Sequence, residues 1–190
     1  MKSLRIFLLV LFVSVQLSAQ TTTAPYYEIP KASNEASAGA VLSRMVDGLG
    51  FRFYWASEGL TEKDLAFQPS KEVRTTGQTV THIYDLTKTL LSLTKTEFKQ
   101  SKAKADMTFE EIRVQALLNL EALSKRFRAS KDLQEFNVSQ NGKVTVPFWN
   151  LINGPIADAI WHCGQLASFR RSTGNPINPN VNHFTSTVRQ

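Results

Sequence analysis

The sequence predicts an all-α chain: an up-down four-helix bundle with a small β-hairpin before the last helix. Three observations predict it. Four segments carry apolar residues at helical spacing. The connections between them are short to medium. Two of the segments open with capping-box pairs, Thr75 with Gln78 and Thr108 with Glu111.

Residues 1–19 have the form of a secretory signal peptide. Lys2 and Arg5 give a positive start, 6–15 is a short apolar run, and Ser18-Ala19 offers small residues for cleavage. The run is too short to span a bilayer, and no stop-transfer pattern follows. The expected product is exported, periplasmic or secreted, with no stable membrane insertion after cleavage. Residues 20–32 read as an extended lead, because Pro25 and Pro30 disfavour helix.

The first helix is expected over 33–57. Val41, Leu42, Met45, Val46, Leu49 and Phe53 form its apolar side, and Gly48 and Gly50 weaken it. Residues 58–74, with Gly59 and Pro69, read as a loop. The second helix starts near Thr75 and aligns His82, Leu86, Leu90 and Leu93, with Ile83 flanking. A basic linker covers 99–106. The third helix follows Thr108, with a stripe of Phe109, Ile112, Ala116, Leu120, Leu123 and Phe127.

Asn141-Gly142 between Val-containing flanks marks a tight hairpin. Pro155 either sits in the first turn of the fourth helix behind an Asn153 cap, or kinks a helix begun near Phe148. Gly174 ends that helix after Arg170 and Arg171. Residues 175–190 hold two prolines and many polar groups and read as an irregular tail. The bundle domain is thus 33–174, long enough for one full core.

The chain has 190 residues, 22 Lys and Arg against 16 Asp and Glu, and a net charge of +6. Losing Lys2 and Arg5 with the leader lowers this to +4. The positive charges are spread along the chain, which together with export argues against a nucleic-acid partner. The single cysteine, Cys163, has no internal disulfide partner and is safest buried in an oxidising compartment. No Gly-rich phosphate loop, nucleophile elbow or C-x-x-C is present.

Chemistry concentrates in Asp158-Ala-Ile-Trp-His162-Cys-Gly-Gln165. Asp158 and His162 are four residues apart and share a helix face, which continues as Leu166 and Phe169. His82 likewise heads the stripe of helix two. A buried, unpaired carboxylate or imidazole costs several kcal/mol, about the penalty for a lost polar partner. Two imidazoles and one carboxylate from facing helices could hold a divalent metal at roughly 2 Å and leave positions open. Such an ion would acidify a water or polarise a substrate atom. The alternative is a hydrogen-bonded Asp158–His162 pair at the helix surface beside a satisfied His82.

The chain resembles the DinB/YfiT-like superfamily of metal-dependent four-helix bundles. Thr81-His82-Ile83-Tyr84-Asp85 is similar to that family's helix-two motif. Asp158 to Gln165 is similar to its helix-four motif, H-x-x-x-H followed by an R-G-Q-type run. The approach LAFQPSKEVRTTGQTVTHI fits as well, and the likeness spans roughly 33–174. It implies one divalent ion, zinc, nickel, iron(II) or manganese, on His82, Asp158 and His162. Asp158 stands where the family usually has His, giving a set of two histidines and one carboxylate.

The resemblance further implies a metal-dependent hydrolase or transferase acting on a small molecule, with catalytic residues unassigned. The alternative function is a non-catalytic bundle that binds a ligand or partner, with an incidental metal or none; a homodimer stays open. Cys163 is expected as a small core residue and His183 as an exposed tail residue. Gln165 and Tyr84 are candidates for contacts around the site or for plain packing. Trp55, Trp149 and Trp161 are expected to pack in the core or a groove. Arg170 and Arg171 are expected to favour the helix end.

Overall fold

The computed structural model describes residues 24–100 and 102–189. The expected leader, 1–19, and the first part of the lead lie outside them. The described chain is mostly helical, with two small antiparallel hairpins. Among the described residues, no helix is long and apolar enough to cross a membrane.

Four long helices share one core: α1 (Ala38–Ser57), α3 (Thr76–Leu93), α4 (Phe109–Arg128) and α6 (Ala157–Thr173). Helix α1 packs on α4 and α6, and α3 packs on the same two. Leu49, Phe53, Ile83, Leu90, Leu117, Leu120, Phe127 and Leu166 are fully buried where these helices meet. Each such side chain contributes about 1.5–3 kcal/mol through removal from water.

Helix α1 begins at Ala38, with Ser37 as its cap, five residues later than the sequence suggests. Leu42, Val46, Leu49 and Phe53 face inward, whereas Val41 and Met45 lie off that face and are exposed. Gly50 explains part of the lead. A Cβ there would come within 2.5 Å of the Tyr26 ring, so only glycine lets Tyr26 lie against the helix. Tyr26 is buried, and its hydroxyl donates to Asp47 at 3.2 Å.

The loop expected over 58–74 contains a short helix, α2 (Glu62–Ala66). Thr61 and Asp64 form its capping box, a signal present in the sequence. Both expected capping boxes, at Thr75 and Thr108, open α3 and α4.

The buried face of α3 is rotated from the expected stripe. Thr76, Val80, Ile83, Thr87 and Leu90 point inward, while His82, Leu86 and Leu93 are half-buried. The threonines are responsible. Thr87 accepts from Asn119 of α4 at 3.0 Å, and Asn119 accepts from Gln115 at 2.9 Å, so polar residues share the interior. This rotation carries His82 to the edge of the helix pair.

Strands β1 (Val138–Gln140) and β2 (Lys143–Val146) form the expected hairpin. Asn141 and Gly142 both have positive φ, as its tight turn requires. Pro155 kinks a helix begun earlier. Helix α5 (Trp149–Leu151) runs through a π turn at Ile152–Ile156 into α6, and the backbone departs from helical geometry at Gly154. Gly174, at φ 85°, terminates α6.

The tail is not wholly irregular. β3 (Val181–Asn182) pairs with β4 (Thr187–Val188), and the backbone N–H of Ile29 donates to Ser186 at 3.1 Å. Arg170 is buried and donates to the carbonyls of Trp55, Glu58 and Asn175, so it joins α1, α6 and the tail instead of only complementing a helix end.

Candidate metal centre

His82 rises from the second turn of α3, and Asp158 and His162 from the first turns of α6 just after the π turn. A π turn changes which side chains face a neighbouring helix, and such turns recur at functional sites. Here it precedes the two α6 ligand candidates directly.

The three expected residues converge. His82 Nε2 lies 3.3 Å from Asp158 Oδ2, and His162 Nε2 lies 3.3 Å from Asp158 Oδ1. One ligand atom from each residue falls within 4.8 Å of the other two. The imidazoles meet edge to face, with centroids 4.8 Å apart. Ligands about 2.0–2.1 Å from a shared ion stand about 3.3 Å apart at tetrahedral angles. Both histidine–aspartate separations match that edge, so the group can hold a metal ion.

Gln165, one turn further along α6, fixes the chemistry of His162. Its Oε1 lies 2.7 Å from His162 Nδ1. An amide oxygen only accepts, so Nδ1 carries the proton and donates. In a neutral imidazole this leaves Nε2 with a free lone pair, 3.3 Å from Asp158 Oδ1. Nε2 is then the nitrogen available to an ion. This is the orientation in which outer partners hold metal-binding histidines.

The site is open on one side. The His162 side chain is 11% exposed, His82 26% and Asp158 41%. Two hollows flank the triad. One is lined by Arg74, Gln78, Thr81, His82 and Asp85, the other by Glu72, Val73, Arg74, His162 and Gln165. Arg74 belongs to both, and is the residue that the sequence reading missed. Its place in the stretch just before α3 was the only signal for it. Asp85 is engaged by Lys104 at 2.8 Å.

The other singled-out residues fall elsewhere. Tyr84 is fully buried packing. Cys163 is buried, and burial pushes its thiol up to about 12, so it is a neutral core group. Trp55 is buried, but Trp149 and Trp161 are 61% and 73% exposed, contrary to the packing role expected for them. His183 is exposed, as expected, and the tail carries it to Phe51 of α1, not to the triad.

Comparison of the chain with protein-family models, with curated proteins and with solved structures gave no match.

Proposed function

We propose that this chain is an exported, DinB-like four-helix bundle holding one divalent metal on His82, Asp158 and His162. It acts on a small molecule as a metal-dependent hydrolase or transferase. The observation that carries the reading is the convergence of His82 Nε2 and His162 Nε2 on the two Asp158 oxygens, each at 3.3 Å. A shared cation satisfies all three at once.

When bound, the ion supplies a Lewis acid with positions open toward solvent. Zinc, nickel, iron(II) and manganese all accept two imidazoles and a carboxylate. Gln165 keeps His162 in the ligating tautomer. Arg74, on the rim of both hollows, is placed to orient an anionic part of a substrate.

Metal analysis of protein purified without added metal tests the site, beside His82→Ala and His162→Ala. Wild type is expected to carry one divalent ion and both variants far less; equally low content in all three rejects the site. A panel of ester, amide and thiol-transfer substrates then separates catalyst from binder. Turnover that survives chelation rejects a metal mechanism.

A further inference from the structure

The face of α6 opposite the triad carries a separate cavity of about 420 Å³. Ile160, Gly164, Ala167 and Arg171 line it from α6. At 3.6 residues per turn, that face lies about 160° round the helix from Asp158, His162 and Gln165. The cavity shares no lining residue with either hollow beside the triad.

Its walls have two characters. Ile160 and Ala167 of α6, with Ala56 of α1, are apolar, and Ile177 of the folded-back tail adds a fourth apolar surface. Against them stand two guanidinium groups, Arg52 of α1 and Arg171 of α6, with His183 of the tail. Among the described residues, neither arginine has a carboxylate within ion-pairing distance. Among the described residues, Arg52 donates only to the Gly48 carbonyl at 3.0 Å, and the Arg171 side chain makes no hydrogen bond. Both act on His183: though the residue is largely exposed, partial desolvation first, then Arg52 and Arg171, draws its pKa below the ordinary histidine value.

By contrast, Arg113 is paired to Glu58 and Arg128 to Asp47. Arg52 and Arg171 thus bring two guanidiniums without carboxylate partners to one partly enclosed, apolar-walled space. Such a space suits a ligand with a charged head and an apolar body, in the size range of small-molecule pockets. Guanidinium recognises carboxylate and phosphate heads alike through paired N–H donors.

We infer that this cavity is a binding site, separate from the metal centre, for a small amphipathic organic anion. Arg52 and Arg171 hold its carboxylate or phosphate head, and Ile160, Ala167 and Ile177 receive its apolar body. The tail forms one wall, so its packing on α1 and α6 completes the site.

Calorimetric titration with octanoate, octyl phosphate and octan-1-ol tests this and identifies the preferred head. Wild type is expected to bind at least one anion roughly tenfold or more tighter than the alcohol, the scale of a charge-assisted hydrogen bond. The double variant Arg52→Gln/Arg171→Gln is expected to lose a similar factor. Ala167→Trp, which fills the space without altering charge, is expected to lose binding as well, and it stands alone should the double variant not fold. His82→Ala is expected to bind as wild type does. The inference is overturned by equal binding of alcohol and anions, by folded variants that bind like wild type, by absence of binding to wild type, or by loss of binding in His82→Ala.

Discussion

Gln165 Oε1 and His162 Nδ1 lie 2.7 Å apart, one helical turn from each other on α6. The bond determines which imidazole nitrogen faces Asp158. Replacing Gln165 by Leu keeps the volume and removes the acceptor. Metal affinity is expected to fall about 10–100-fold, the usual cost of losing an outer partner of a ligating histidine. Gln165→Glu, which still accepts, is expected to retain most of the affinity. Competition with a chromophoric chelator measures both; unchanged affinity in Gln165→Leu removes the positioning role.

Metal binding should also appear as stability, since the two helices that carry the ligands separate on unfolding. At an ion concentration a hundredfold above Kd the folded state gains about 2.7 kcal/mol. For a chain of this size that corresponds to roughly 5–10 °C in Tm. Thermal melts of wild type with the ion and with chelator are expected to differ by that amount. His82→Ala is expected to melt at one temperature in both.

The convergence of these ligands was legible in the sequence, because spacing of four puts Asp158 and His162 on one face and the chain offers few other histidines. Helix boundaries followed from caps such as Thr75 with Gln78. Less legible was anything that depends on distant packing. Thr87 looks like a surface residue until Asn119 of α4 supplies its partner, so the buried face of α3 was misjudged by about one residue. Tyr26 reads as part of a loose lead until Gly50 offers a seat for its ring. Arg170 and Arg171 are neighbours of the same type, yet one is buried in a network and the other lines a cavity; only the third dimension separates them.

Asp64 gives a pH-dependent prediction. Its side chain is 2% exposed. Its Oδ2 accepts from the Thr61 N–H at 2.8 Å, the Thr61 hydroxyl at 2.7 Å and Asn175 Nδ2 at 2.7 Å, and Oδ1 accepts from the Thr173 hydroxyl. Burial alone would raise its pKa; the hydrogen bonds from Thr173, Asn175 and Thr61 outweigh it and hold the carboxyl well below the usual carboxylate range. The stabilisation is therefore fully present above the unfolded value, near pH 4, and is lost as pH falls through the folded value. Asp64→Asn turns an amide toward these donors and is expected to cost about 1–3 kcal/mol at pH 7. Urea midpoints at pH 7, 5, 4 and 3 are expected to show the gap between wild type and variant constant down to pH 5 and narrowing below 4. A gap that widens on acidification contradicts the assignment.

Two glycine-to-alanine changes should have opposite signs. A Cβ at Gly39 would lie 2.4 Å from the Phe127 carbonyl oxygen and 2.6 Å from that of Ser130. Both are backbone atoms at the end of α4, so relief requires α1 and α4 to part. Gly39→Ala is expected to destabilise by roughly 1–3 kcal/mol, the cost of overpacking. At Gly164, inside α6, a Cβ meets nothing within 4 Å, and its φ is not in the left-handed region. There the change removes backbone freedom from the unfolded chain, and Gly164→Ala is expected to stabilise by about 0.5–1 kcal/mol. Denaturant titrations of the two variants beside wild type read both signs in one experiment. A stabilising Gly39→Ala would mean that the α1–α4 contact is looser than the geometry requires.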